Sequence, residues 1–245
     1  MTDAAKPPMP REHGAWGILL VPFATATGIS GIWNLPVTLL LVSVLSFFIA
    51  RMSFLKQQWK WAGLLLAVSA IAAAPLLFVW HRWWLVAFGA VAAPLAFRKT
   101  ERHIAIQLLA MTGLTLTAPA AWYVATGKFD AMAWKLWLLN SLYFAGGFFF
   151  VKMHLAAAIQ RTTTGVRTGT IAYHAALVAA LATLVLTGQI AWPVTLAFVP
   201  AVLRAAVGAW RLTPKLQIKR LAWTEVVLSV LFAVSLIIAV RISAT

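Results

Sequence analysis

Long apolar runs separated by short polar breaks make up most of the chain. Nine of them approach the length a helix needs to cross a hydrocarbon core of about 30 Å at a rise of about 1.5 Å per residue. They lie at approximately 15–32, 35–50, 61–80, 83–97, 104–125, 135–151, 171–187, 191–208 and 223–240. Each is expected to be helical, because lipid offers no partner for an unpaired backbone N–H or C=O. Short breaks such as Trp33-Asn34, His81-Arg82 and Thr187-Gly188-Gln189 predict antiparallel hairpins. The pattern therefore predicts an all-α, polytopic membrane bundle of about nine transmembrane helices, forming a single domain over residues 1–245.

Composition excludes the soluble alternative. At 62% hydrophobic and 10% charged residues, with a mean hydropathy of +0.89, too little polar surface exists to cover a water-facing body of this size. The 20 Lys and Arg outnumber the five Asp and Glu. Such a balance usually raises nucleic acid as a partner, but here the bases sit between apolar runs. Membrane lipids with anionic headgroups account for them better, and no nucleic-acid partner is expected.

The charges also orient the helices. With the N-terminus in the cytoplasm, Lys6, Arg11, Arg51, Lys56, Lys60, Arg98, Lys99, Arg102, Lys152, Arg161, Arg167, Arg204, Arg211, Lys215, Lys219 and Arg220 fall in inner loops. Only Arg82, Lys128, Lys135 and Arg241 fall outside. This asymmetry is the positive-inside bias, and a count wrong by one helix would scramble it. Tryptophans 33, 61, 80, 83, 84, 134, 137, 192 and 223 lie near run ends, where an aromatic belt belongs. The expected setting is a bacterial cytoplasmic (inner) membrane, N-terminus inside and C-terminus outside. Residues 1–10 lack a basic segment followed by a cleavable apolar core, so no signal peptide is read there.

A weak repeat is visible. Phe47-Phe48-Ile49-Ala50-Arg51-Met52-Ser53-Phe54 ends the second run and Phe148-Phe149-Phe150-Val151-Lys152-Met153-His154-Leu155 ends the sixth, both reading Phe-Phe, two apolar residues, a base, then Met. Duplication of a four-helix group, roughly 11–100 and 101–208 with a ninth helix added, explains their matching places. The two run ends would then face a shared cavity.

Three groups of residues are candidates for chemistry. At the start of the first run, Pro10-Arg11-Glu12-His13-Gly14-Ala15-Trp16-Gly17 places two charges, an imidazole and two glycines where the chain enters hydrocarbon. Helical spacing puts His13 beside Trp16 and Gly17. Glu12 and His13 are thus candidate acid/base residues, or alternatively a polar anchor that complements the helix dipole. The two basic loops after the repeat motif hold Arg51, Lys56 and Lys60 in one, and Lys152, His154, Gln160, Arg161 and Arg167 in the other. They could bind an anionic group through charge-assisted bonds, or be basic for topology alone. Third, Glu225 enters the last run, where a carboxylate calls for a partner, and Arg204 is the candidate. Of His13, His81, His103, His154 and His174, only the last lies clearly within a run. Haem, which needs two facing imidazoles, is the weaker alternative to no cofactor. Asn140, Tyr143, Gly146 and Gly147 read as helix-packing positions.

Absences narrow the chemistry further. With Cys 0 there is no disulfide, thiolate nucleophile or Cys-ligated cluster. No carboxylate cluster can build a Mg²⁺ cage, and no metal site is expected. There is no Walker loop, nucleophile elbow or His-Glu-x-x-His motif.

The Pro10–Gly17 stretch with Ile18-Leu19-Leu20-Val21-Pro22 resembles the N-terminal signature of the YwiC-like family of bacterial membrane proteins. Val151-Lys152-Met153, with Arg161 further on, is similar to that family's other basic motif. A more distant likeness is to the UbiA-type prenyltransferases, which implies nine helices, a cytoplasmic N-terminus, two four-helix repeats and catalytic loops after the second and sixth helices. Arg11, Gly17 and Leu19-Leu20 echo the first helix of that superfamily. Its two Asp-rich motifs are replaced here by Arg51–Lys60 and Lys152–Arg167, which hold no acid. An ordinary Mg²⁺–diphosphate transferase is therefore not implied.

The resulting expectation is a UbiA-like membrane protein that binds an isoprenoid, quinone-like or anionic amphipathic ligand. Arg11, Glu12, His13, Trp16, Arg51, Lys56, Lys152, His154, Arg161 and Arg167 would frame its site. Any transferase activity would be metal-independent. The rival readings are a small-molecule or anion transporter and a non-catalytic accessory subunit of a membrane complex.

Overall fold

The computed structural model describes residues 13–97, 103–159, 163–212 and 218–244. These form α1 (His13–Ser30), α2 (Leu35–Leu55), α3 (Trp59–Phe78), α4 (Trp84–Phe97), α5 (Ile104–Leu114), α6 (Thr117–Thr126), α7 (Ala131–Ala158) and α8 (Thr164–Leu186). A 3-10 segment (Trp192–Phe198) then leads into α9 (Val199–Trp210), and α10 (Ile218–Ala244) ends the described chain. Every one of the nine apolar runs is helical, with α5 and α6 sharing one and the 3-10 segment and α9 sharing another. Among the described residues there is no strand, and seven spans are long and apolar enough to cross a membrane. Gly14–Ser30 and Trp84–Pro94 are shorter apolar helices. Large side chains such as Ile71, Phe78, Leu186 and Trp210 stand exposed, as they do on a surface that faces lipid rather than water. The architecture is that of a multi-pass membrane protein.

The helices outrun the apolar runs. Arg51, Lys152 and His154, expected in loops, lie on α2 and α7, because α2 continues to Leu55 and α7 to Ala158. Lys60, Arg167 and Arg204 are likewise helical, on α3, α8 and α9. Hydropathy ends where the side chains become polar, but the backbone keeps its ladder until a Gly, Pro or competing cap stops it. Lys56 is the C-cap of α2, its N–H donating to the Met52 carbonyl.

The chain divides into two compact units, Met1–Trp137 and Leu138–Thr245. In the first, α2 and α3 form a hairpin locked by two reciprocal bonds. Ser43 Oγ donates to the Ser69 carbonyl (3.0 Å) and Ser69 Oγ to the Ser43 carbonyl (2.9 Å). At the start of α2, Asn34 accepts the Val37 N–H (3.1 Å) and Pro36 occupies the first turn, both standard signals for a helix start. Ala26, Ala118 and Ala121 lie in the core with Phe23, Val37 and Leu76, and small residues let α1 and α6 approach closely. Pro22 cannot donate to the Ile18 carbonyl one turn back. Beside that gap the Thr117 hydroxyl crosses from α6 to the Leu19 carbonyl (2.9 Å).

The interruption between α5 and α6 has a local cause. Pro119 has no N–H for the Thr115 carbonyl, which takes the Ala118 N–H instead (3.0 Å). The turn tightens to 3-10 geometry. The Thr112 carbonyl is then bonded by the Thr115 hydroxyl (2.8 Å) and Trp137 Nε1 (3.0 Å). Pro200 acts similarly in the second unit, where the Leu196 carbonyl accepts from Val199.

In the second unit Phe150, Met153, Ala205 and Ala209 form a buried cluster between α7 and α9. Tyr143 of α7 stacks on Phe232 of α10 with centroids 3.9 Å apart. Two side chains of α8 bond back to α7 carbonyls: Thr170 to Phe149 (3.1 Å) and Tyr173 to Leu142 (2.8 Å).

Candidate functional site

Arg11, Glu12 and Arg161 lie outside the described residues, and His13 is the first residue of α1. The remaining candidates fall into one set in each unit. In the first unit Trp16 of α1 meets Phe48 of α2 edge-on, at 5.2 Å and 74°. Arg51 follows Phe48 by three residues on the same face of α2. It is half-buried, and its Nη1 donates to Met52 Sδ (3.8 Å). The start of α1 and the end of α2 thus bring Trp16, Phe48 and Arg51 together. Lys56, one turn further, is exposed.

In the second unit Lys152 extends over the ring of Phe148, one turn earlier on α7, at 5.1 Å. The Phe-Phe element of the repeat therefore acts as a platform for the base that follows it, in a cation–π arrangement. His154 is held by its own helix. Its Nδ1 bonds the Phe150 carbonyl (3.0 Å), so that nitrogen carries the hydrogen and Nε2 keeps a lone pair in the neutral ring. Arg167 sits exposed in the first turn of α8.

Arg204 and Glu225 form the expected ion pair across the α9–α10 connection, with both side chains largely buried. The Arg204 guanidinium also lies over the ring of Phe150, 4.1 Å from its centroid. Two glycines make this assembly possible. A Cβ at Gly147 would sit 3.2 Å from Glu225 Oε2, and one at Gly208 would sit 2.5 Å from Phe150 Cε2 and 2.9 Å from His154 Cε1. Phe150 and Gly208 were not sequence candidates. Gly208 lies one turn after Arg204 on α9, and that spacing is the signal that points to it. At a helical rise of about 1.5 Å per residue, Arg204 and Glu225 lie roughly 10 Å inside their helix ends. Both are expensive there unless paired, and the pair is neutral.

His174 is 6% exposed on α8. Its Nδ1 donates to the Thr170 carbonyl (2.8 Å), and its Nε2 points at Gly146, 3.2 Å from where a Cβ would stand. That nitrogen has no hydrogen-bond partner among the described residues. No three His, Cys, Asp or Glu side chains group as metal ligands among those residues.

Comparison with known proteins places the first half of the chain. Residues 9–122 match the model of the family described as YwiC-like protein, so the resemblance seen in the Pro10–Pro22 stretch is borne out. The basic segment Val151–Arg161 lies beyond the matched residues. The chain is similar to the "Uncharacterized protein YwiC" of Bacillus subtilis (strain 168), at 27% identity over 158 residues. That alignment covers 59% of this chain and 65% of the relative, just under two thirds of its length. No solved structure matches the chain.

Proposed function

We propose that this multi-pass membrane protein binds an amphipathic ligand, isoprenoid or lipid-like and with an anionic head, at the cytoplasmic face of the inner membrane. The head would meet the basic end of α7, and the basic end of α2 offers a pairing of the same kind in its own unit. The observation that carries this reading is the placement of a base directly against the motif's phenylalanines, Lys152 over Phe148 at 5.1 Å. Such an end offers apolar surface to a tail and a cation to a headgroup in adjacent turns. Trp16 and Arg51, both packed or spaced against Phe48, supply the same pairing at the end of α2. The distant likeness to UbiA-type proteins supports a lipid-facing site. The absence of acids from the two basic segments argues against a Mg²⁺–diphosphate mechanism. No catalytic step is assigned to Glu12 or His13.

The test is native mass spectrometry of the full chain purified in a mild detergent. A discrete bound amphiphile, lost in Lys152→Ala at the end of α7, is the expected result, and Arg51→Ala should remove any amphiphile held at the end of α2. A protein carrying only bulk lipid, or undiminished retention in both variants, would overturn the reading.

A second reading, transport of a small anion, draws on the two interrupted spans, α5/α6 and the 3-10 segment with α9. Discontinuous helices in membrane proteins commonly line substrate sites. Anion flux into proteoliposomes, abolished by restoring a continuous helix with Pro119→Ala, would favour it over simple binding. No flux above that of empty vesicles would dismiss it.

A further inference from the structure

In the first unit, the end where the α3–α4 and α6–α7 turns meet holds a cation that no acid answers. Arg82 sits in the turn between α3 and α4, its backbone N–H bonded to the Leu76 carbonyl (2.9 Å). Its guanidinium crosses to the end of α6. There it lies over the Tyr123 ring, 5.3 Å from the centroid, and its Nη2 stands 2.9 Å from where a Cβ of Gly127 would be. Gly127 caps α6 with a positive φ of 77°, so the left-handed turn and the missing side chain together make room for the cation. Phe129 packs against Tyr123 (6.1 Å), Trp84 (4.8 Å) and Trp134 (5.1 Å), which braces the aromatic seat.

Among the described residues this cation is not neutralised. Asp130 is the acid of this end, and its Oδ1 accepts from Trp122 Nε1 (2.9 Å), the Met132 N–H (3.0 Å) and the Ala133 N–H (3.3 Å). No carboxylate pairs with Arg82 among the described residues. Of the guanidinium nitrogens Nε alone is both buried and unpartnered. The residue keeps part of its surface exposed, so the Nη edge of the fork is the one open to a partner. Lys128, which follows Gly127 directly, is exposed. Trp83, Trp84 and Trp134 stand about half exposed around this end, and indoles gather at the depth of the lipid headgroups.

We propose that Arg82, seated on Tyr123 and Gly127 with Lys128 beside it, binds the phosphate of an anionic phospholipid. A planar guanidinium edge matches two oxygens of a phosphate, which a point charge does not. Two cations and one committed carboxylate leave this end positive, so an anionic head is compensated here. A zwitterionic head would bring its own cation against Lys128. No enclosed cavity is required, because the acyl chains would lie along apolar surface that is already exposed, at Val79, Trp83 and Val86. This contact is separate from the basic ends of α2 and α7 and does not rest on them.

The experiment uses the full chain carrying Arg51→Ala and Lys152→Ala, which removes the cations at the ends of α2 and α7. In maltoside micelles it is given dioleoylphosphatidylglycerol, dioleoylphosphatidylcholine or inorganic phosphate, and read by native mass spectrometry and thermal melting. Phosphatidylglycerol should stay bound as a discrete adduct and raise the melting temperature. Phosphatidylcholine should bind about tenfold more weakly, and Arg82→Gln should weaken phosphatidylglycerol by about the same factor, as loss of one charge-assisted contact implies. Arg82→Lys keeps the charge without the fork and should bind between the two, and it carries the test if Arg82→Gln does not fold. Arg241→Gln, which removes an exposed base at the end of α10, should bind as its parent does. Undiminished binding in the folded Arg82 variants, or equal retention of the two lipids, would overturn the assignment. So would release of phosphatidylglycerol by excess inorganic phosphate, which would make the ligand a free anion rather than a lipid.

Discussion

The Arg204 guanidinium of α9 and the Glu225 carboxylate of α10 are bound to each other inside the second unit, with Phe150 of α7 beneath the cation at 4.1 Å. Three helices therefore meet at one neutral charge pair. Glu225 is one of only five acids in the chain, and the other four lie outside the apolar runs. Removing one partner strands the other in low dielectric. Glu225→Leu alone should destabilise by about 3–5 kcal/mol, whereas Arg204→Met/Glu225→Leu together should cost far less. Thermal melting of the detergent-solubilised variants measures this. A double variant as unstable as the single one would show that the pair is required for its geometry, not its charge balance.

The Ser43–Ser69 bonds between α2 and α3 make a second, independent test. Each serine both donates its hydroxyl to the other's carbonyl and lies 3.1 Å from the other hydroxyl. Interhelical bonds in membranes average about 0.6 kcal/mol. Ser43→Ala and Ser69→Ala should each cost about that amount, and the double variant less than their sum, because the interaction is shared. Additive losses in a double-mutant cycle would mean that each serine acts on its own.

Glycines at two positions should respond oppositely to the same change. At Gly208 a Cβ would lie 2.5 Å from Phe150 Cε2, closer than carbon atoms tolerate. Gly208→Ala should lower the melting temperature, and Phe150→Leu in the same chain should recover part of the loss. Gly14 has nothing within 4 Å of its Cβ position among the described residues. Gly14→Ala should leave stability unchanged or raise it by up to about 1 kcal/mol. If Gly14→Ala then abolishes retention of a bound amphiphile, the glycine serves the ligand rather than the fold.

The topology can be read chemically, because the chain has Cys 0 and any introduced thiol is the only one. In inverted and right-side-out vesicles, Lys56→Cys should label with a membrane-impermeant maleimide only from the cytoplasmic side. Lys128→Cys should label only from the opposite side. Both residues are exposed. Labelling of the two from the same face would reject the nine-span arrangement with a cytoplasmic N-terminus.

Much of the candidate chemistry was legible, and its limits have identifiable causes. A lone acid entering an apolar run predicts a basic partner, and Arg204, across the connection on the preceding run, is the base that meets it. His174, inside a run, had to be buried. What could not be read was that Arg51, Lys152 and His154 stand on helices. Hydropathy reports the side chains, and the backbone ladder of α2 and α7 extends past the last apolar residue. The break at Thr115–Leu116 is signalled by Pro119 but hidden from hydropathy, because the run stays apolar through it.

The sequence by itself determined that the apolar runs are helices of a multi-pass membrane protein, and the places where small, polar or charged residues interrupt them. Each follows from local transfer energies and from the backbone's need for partners in lipid. Only the tertiary structure decided which faces meet: Gly208 against Phe150, Gly146 against His174, Thr117 against the Leu19 carbonyl. In a soluble helix an apolar stripe announces the buried face. Where both the core and the surroundings are apolar that stripe disappears, and helix pairing is left to close packing and single hydrogen bonds, which depend on three-dimensional fit rather than on order along the chain.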